Sequence, residues 1–362
     1  MNDFARYHRQ ILLPGIGEEG QTALAAGTVL VAGCGALGTV AADLLARAGV
    51  GTIVVVDRDV VEATNLQRQT LFTERDAERG MPKAEAAKLR LAQVNSTIKV
   101  RGFVEDLDSD TIGELAMGCD VLLDGLDNFQ ARYLLNDYAV SEGVPYLYGA
   151  GVKTGGMSMP VLPPGGGRRR VRWSESEVTP CLRCLFPDPP PPGAAETCDT
   201  AGVLGSVTMT VAAHLATQAI KLLVGRVDVI DRTLRSFELW ENEQRGMAVD
   251  SARNPDCPCC VGKRFDFLDA EPETARMLCG RNAVQIRASG ENAIDLHQLA
   301  ERLSNSGSFE VREGAVRGTL EHERSPAGNQ VEMTVFADGR AIIGGDVDVS
   351  WAKGICERFI GR

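Results

Sequence analysis

Apolar and polar positions change period repeatedly along the first sixty residues. Residues 11–26 are amphipathic at helical spacing, Thr28–Ala32 is a short β-branched apolar run ending in glycine, and Ala36–Ala48 is an uninterrupted stretch of helix formers. A second apolar run, Thr52–Val56, ends at Asp57. The pattern predicts a βαβ unit whose strands are hydrophobic throughout, as in parallel sheets covered on both faces. Further strands are expected at 99–104, 121–123 and 145–148, with helices at Lys83–Val94, 108–117 and 129–141. This alternation predicts the α/β class: a doubly wound, Rossmann-like, mostly parallel sheet.

Between 149 and 202 the pattern breaks. Gly165, Gly166, Gly167, Arg168, Arg169, Arg170 and the prolines Pro189, Pro190, Pro191 and Pro192 interrupt any regular element, so a long functional loop is expected, with a strand at 157–162 at most. A helix follows at 203–223 and strands near 234–240. Composition shifts again near Gly262, dividing the chain into a large domain, 1–261, and a small C-terminal α/β lobe, 262–362. In that lobe the patterning predicts a strand at Ala283–Ile286, a helix at Leu296–Leu303, a hairpin turning at Asp338-Gly339 and a closing helix at 349–360.

Charge and composition narrow the function. The net charge of −11 argues against nucleic acid or an anionic membrane surface as the main partner. No apolar run reaches the ~20 residues that span a bilayer, and charged residues follow Met1, so a soluble, cytoplasmic protein is expected. The ten cysteines cluster unevenly, which suits a metal better than a disulfide framework and implies a reducing compartment.

Gly33, Gly35 and Gly38 form GxGxxG between a strand and a helix, where backbone amides and the helix N-terminus meet phosphate unobstructed. Asp57 lies where such folds place a ribose-binding acid. The loop implies a nucleotide without saying which, and a nicotinamide oxidoreductase fits it as well as an ATP enzyme. Asn65, Arg68, Gln69 and Lys83 discriminate, because two cations and amides near one phosphate site serve a triphosphate under attack better than hydride transfer. The competing reading of Arg68 and Lys83 is that of solvated surface charges. After the strand 121–123, Asp127 is placed to hold Mg²⁺ on phosphate oxygens, or else Asp127 and Asn128 cap the next helix.

Cys181, Cys184, Cys257 and Cys260 make two CxxC pairs suited to one closed tetrahedral Zn²⁺, structural because no coordination position is left for water. Cys259 is a spare with poorer spacing. Cys34, Cys119 and Cys356 read as small core residues, and the surroundings of Cys279 do not reproduce a rhodanese loop. Cys198, in a loop before a helix, is either a reactive thiol or an ordinary exposed one.

The segments Arg6-Tyr7-His8-Arg9-Gln10, the glycine loop, Asn65-Leu66-Gln67-Arg68-Gln69, Pro82-Lys83, Asp127-Asn128, both cysteine pairs and Ala201-Gly202-Val203-Leu204-Gly205 together resemble the ThiF/MoeB/HesA family, over roughly residues 4 to 260. The resemblance implies a homodimer that uses ATP and Mg²⁺ to adenylate the Gly-Gly tail of a ubiquitin-like sulfur-carrier protein, with a persulfide as a candidate sulfur donor. A non-catalytic scaffold for ubiquitin-like partners is the alternative. It further implies that Asp57 binds ribose and that Asn65, Arg68 and Lys83 hold phosphates, with Gly33, Gly35, Ala36, Gly38, Asp59, Gln69 and Asn128 completing the nucleotide site. Asp127 positions Mg²⁺, and Arg9 reaches the triphosphate of the neighbouring subunit. Cys198 matches a family cysteine that can receive the activated carboxyl or sulfur. Ala36 and His8 depart from the commoner glycine and asparagine. Arg168, Arg169, Arg170 and Arg172 are candidates for the carrier's acidic face, or a solvated loop.

Overall fold

The computed structural model describes residues 4–167, 169–190, 196–271, 274–278, 282–287, 294–312 and 314–361, without the side chains of Asp199, Arg276 and Leu278. Contacts divide the chain after Ala270 into two units. The division falls past Gly262 because Phe265, Phe267 and Leu268 pack on the first unit's core.

In the first unit, α1 (His8–Ile11) and α2 (Gly17–Ala26) precede β1 (Thr28–Ala32), α3 (Ala36–Ala48) and β2 (Thr52–Val56). Next come α4 (Glu74–Arg79), α5 (Lys83–Val94), β3 (Lys99–Phe103), α6 (Ile112–Leu115), β4 (Val121–Asp124) and α7 (Phe129–Glu142). A hairpin of β5 (Tyr146–Val152) and β6 (Gly155–Val161) leads through α8 (Leu182–Leu185) and α9 (Cys198–Ala201) to the long α10 (Gly205–Leu223). Strands β7 (Thr233–Glu238) and β8 (Glu243–Ala248) complete one sheet in the order β3-β2-β1-β4-β5-β6-β7-β8. The first five strands are parallel and the last three are added antiparallel. This is the doubly wound sheet that the alternation predicts.

Alternate residues of each central strand feed opposite cores. Val29, Val31, Ile53 and Val55 join Leu45, Leu91 and Leu215 on one face, while Leu30, Val54 and Leu122 join Leu115, Leu135 and Tyr133 on the other. Both faces being covered, no position is free to be polar, which explains the continuous apolar runs.

Four elements differ from the sequence expectation. Residues 149–156 are mostly strand rather than loop, while the strand expected at 157–162 is part of β6, and β8 was not expected at all. Helix α10 starts at Gly205 because Val203 instead forms a bridge with Lys153. Of 108–117 only α6 is helical: the Asp108 carboxylate binds the amides of Asp110 and Thr111 and holds that start as a turn.

The second unit contains β9 (Ala275–Leu278), β10 (Ala283–Ile286), α11 (Leu296–Leu303), β11 (Gly307–Arg312), β12 (Ala315–Arg324), β13 (Gln330–Phe336), β14 (Ala341–Gly344) and α12 (Val349–Phe359). Its antiparallel sheet runs β11-β12-β13-β14-β10-β9, with Gly339 at φ +89° in the expected turn. Leu299, Leu303 and Ile355 from the two helices share a core with Val316, Met333 and Ile343 of the sheet. Among the described residues of the chain no helix is long and apolar enough to cross a membrane.

Candidate active site

The turn after β1 is built by close approach to the turn after β4. Gly33 has φ +84°, and a Cβ there would stand 2.6 Å from the Gly125 carbonyl oxygen. A Cβ on Gly38 or Gly125 would stand 1.9 Å or 2.3 Å from the Gly33 oxygen. These three glycines are therefore required by packing. Gly35 differs: its Cβ would meet only the Gly125 oxygen at 3.7 Å. It caps α3, whose first amides, from Ala36 onward, receive no side-chain cap. An open helix N-terminus flanked by glycine is a ready anion site.

Asp57, just past β2, accepts the Cys34 amide at 2.7 Å and the Asp59 amide at 2.7 Å. Burial raises its pKa, with Lys83 pulling the other way. Lys83, at the start of α5, has a side chain only 7% exposed and reaches the Asp59 carboxylate at 3.2 Å. The fold thus brings Asp57, Asp59, Lys83 and the glycine loop together. Asn65 is buried and its Oδ1 accepts the Glu62 amide at 3.0 Å. Gln69 donates its amide to the Asn65 oxygen at 3.0 Å, and its buried Oε1 has no hydrogen-bond partner among the described residues. Arg68 is half-buried and donates to the Thr64 oxygen at 3.0 Å. A Cβ built on Gly205 would lie 3.7 Å from the Arg68 Cβ, so this segment meets the N-terminus of α10.

At the carboxyl end of β4, Asn128 accepts the Ala131 amide at 2.9 Å and caps α7. Asp127 is exposed, and its charge reaches both Arg58 and Arg132. Arg132 is buried beside Asp124 at 3.3 Å and donates to the Leu126 oxygen at 2.7 Å and the Gly149 oxygen at 3.2 Å. Tyr146 donates to the Asp124 carboxylate at 2.6 Å. Burial works against the charge of Arg132, but Asp124 together with Tyr148, Tyr146 and Asp127 outweighs it and the net shift is upward. Burial likewise raises Asp124, opposed by Arg132. Arg58 pairs with Asp106 at 2.6 Å. Arg58, Asp106, Arg132 and Tyr146 were not singled out from sequence. Two of them, Arg58 and Arg132, sit inside or within one helical turn of the motifs at 57–59 and 124–128, and that proximity is the signal available for them.

The Cys198 thiol donates to the Gly151 oxygen at 3.1 Å. Lys153 holds the same segment through its backbone, with Gly202 and Leu204 at 2.8 Å each, and through an ion pair with Glu196 at 2.7 Å. Arg9 is exposed on α1, and no contact among the described residues joins it to the glycine loop. Among the loop arginines, Arg169 pairs with Asp120 at 3.3 Å, Arg172 donates to the Gly167 oxygen and Arg170 is exposed. Arg168 and Cys279 lie outside the described residues.

The sulfurs of Cys181, Cys184, Cys257 and Cys260 all lie within 4.8 Å of one another. Neighbouring pairs stand at 3.8, 3.6 and 3.5 Å. A tetrahedral Zn²⁺ with Zn–S bonds of ~2.3 Å separates its sulfurs by about 3.8 Å, so this donor set fits one such ion. Cys259 is buried outside the cluster and accepts a hydrogen bond from Asn136 at 3.4 Å. Cys34, Cys119 and Cys356 are buried, as expected of core residues.

A model of the ThiF family matches residues 7–259. The Bacillus subtilis "sulfur carrier protein ThiS adenylyltransferase" is 43% identical over 357 residues, covering 98% of this chain and 99% of that protein. The Haloferax volcanii "SAMP-activating enzyme E1" is 39% identical over 264 residues, covering 73% of this chain and 91% of that one. E. coli MccB superposes with a TM-score of 0.58 at 22% identity, over 72% of this chain and 73% of its own, a likeness of fold. With the motif order, the sheet topology and these relatives in agreement, the chain belongs to the ThiF family.

Proposed function

We propose that the chain uses ATP to adenylate the C-terminal glycine carboxylate of a ubiquitin-like sulfur-carrier protein, preparing it for thiocarboxylate formation. The observation that carries this reading is the convergence of the open α3 N-terminus, Asp57, Lys83 and Asp127 at one sheet edge, in a chain similar over nearly its whole length to a sulfur-carrier adenylyltransferase.

The incoming carboxylate is ionised at neutral pH, so the step needs no protein nucleophile. An oxygen of the tail carboxylate bonds to the α-phosphorus as the bond from that phosphorus to the bridging oxygen breaks, and pyrophosphate leaves with the electron pair. Catalysis rests on alignment and on positive charge at the leaving group. The α3 amides would meet phosphate, and Asp57 keeps acceptor capacity for ribose hydroxyls beyond its two backbone bonds. Lys83, Arg68, Asn65 and Gln69 would hold the phosphate chain, Lys83 exchanging Asp59 for phosphate. Asp127, exposed beside Arg58 and Arg132, fits a hard cation and would hold Mg²⁺, which supplies charge neutralisation at the phosphates. The four clustered cysteines would hold a structural Zn²⁺. In a homodimer, Arg9 would serve the neighbouring site.

The test is ATP–pyrophosphate exchange by the purified protein with candidate carriers ending in Gly-Gly, beside an Arg68→Ala variant. Exchange that requires one carrier and collapses in the variant is expected. ATP binding without exchange for any carrier would favour a non-catalytic scaffold.

A further inference from the structure

Asn136 lies two turns along α7 from the helix cap and is fully buried, yet it belongs to neither the apolar core nor the nucleotide site. A buried amide left unpaired is destabilising, so its partners matter. Beyond the adjacent Asp137 carboxylate at 3.5 Å, they come from the segments of both cysteine pairs, which are 76 residues apart in the chain. The Leu182 amide, between Cys181 and Cys184, donates to Asn136 Oδ1 at 2.7 Å. Asn136 Nδ2 donates to the sulfur of Cys259, between Cys257 and Cys260, at 3.4 Å. A backbone N–H can only donate, which turns the side-chain oxygen toward Leu182 and the nitrogen toward sulfur.

We propose that Asn136 is the positioning residue of the metal site, pinning both cysteine pairs so that the four ligand sulfurs are gathered before the ion arrives. This inference rests on reading the four cysteines as a metal site. Gathering four thiolates brings like charges together, and a neutral bridge on a rigid helix offsets that cost without competing for the ion. Asp137 extends the anchor: its carboxylate accepts the Phe267 amide at 3.0 Å, tying down the segment beyond the second pair. The pin also gives Cys259 a use, as a soft acceptor facing the helix rather than a spare ligand.

The experiment uses the full-length, zinc-loaded protein, with zinc affinity read by competition against a chromophoric chelator and folding by far-UV circular dichroism. Asn136→Leu, which keeps the volume and removes both bonds, is expected to bind zinc about 10–100-fold more weakly with its secondary structure intact. Unchanged affinity in that folded variant overturns the proposal. Cys259→Ala retains Asn136 and removes its sulfur acceptor, together with the hydrogen bond between Cys259 and Asp137; it is expected to weaken zinc as well, and it carries the test if Asn136→Leu does not fold. Unchanged affinity there overturns the bridge. Cys184→Ser separates the two layers of the argument. If it holds zinc as tightly as the native protein, the metal reading itself is wrong, whereas loss of zinc in Cys184→Ser with no effect of Asn136→Leu sinks the pin alone.

Discussion

Two glycines of the same loop should fail in opposite ways when each is replaced by alanine. In Gly38→Ala the new methyl lands 1.9 Å from the Gly33 oxygen, a backbone atom, so α3 and the β1 turn must move apart. Overpacking of this kind costs about 1–3 kcal/mol. At about 2–4 °C per kcal/mol for a domain of this size, Tm should fall by about 2–12 °C. In Gly35→Ala the methyl meets nothing closer than 3.7 Å and φ is −87°, which alanine accepts. Its folding cost is that of alanine at a helix cap, about 1 kcal/mol or less. Gly35 is, however, the residue immediately before the open α3 amides, and a methyl there is expected to crowd an approaching phosphate. A loss of at least about tenfold in ATP affinity is expected, equivalent to about 1.4 kcal/mol. Calorimetric unfolding without nucleotide gives the first quantity and titration calorimetry with ATP the second. A native Tm in Gly38→Ala, or native ATP affinity in Gly35→Ala, would refute the division of the loop into packing and binding glycines.

Arg132→Met leaves the fully buried Asp124 carboxylate alone and should cost about 3–5 kcal/mol of stability by denaturant unfolding. Adding Asp124→Asn should recover part of that loss, and strict additivity of the two changes would show that they do not interact. Burial lowers the His214 pKa despite Asp231, so the unfolded chain takes up this proton first as pH falls below about 6.5. Its contribution therefore makes Tm decline from about pH 7.5 to 5.5, a slope that His214→Gln should flatten; equal slopes would contradict the assignment. Cys198→Ala should leave carrier-dependent ATP–pyrophosphate exchange intact, since adenylation uses no thiol; loss of exchange in the folded variant would place Cys198 in the first step.

The central strands and the glycine loop were legible because covered parallel strands have one pattern and because glycine before a helix has few other uses. The turn end of the β5–β6 hairpin, residues 149–156, was not, and the reason is specific. Its glycines read as breakers, whereas Gly149 and Gly156 are sites of close helix approach: a Cβ on either would stand 2.5 Å from Leu215 or Val211 of α10. Strand β8 carries no alternation, since all its residues are exposed. The buried Asp124–Arg132–Tyr146 network was hidden because charged residues at strand ends and early helix turns look like solvated ones until the packing around them is known. The gathering of the four cysteines was readable from spacing, but the role proposed for Asn136 was not, because a lone asparagine inside a helix has no periodic signature.

The separation of the two cysteine pairs also sets an order of events during synthesis. With 76 residues between Cys181 and Cys257, and translation at about 5–20 residues per second, the first pair waits about 4–15 s for the second. Strands β1 to β6 and α7 are already made by then, so Asn136 can seat the first pair as soon as both leave the ribosome. The nascent chain therefore passes through a stage with a docked two-thiol half-site, when metal supply and oxidants compete for the same sulfurs.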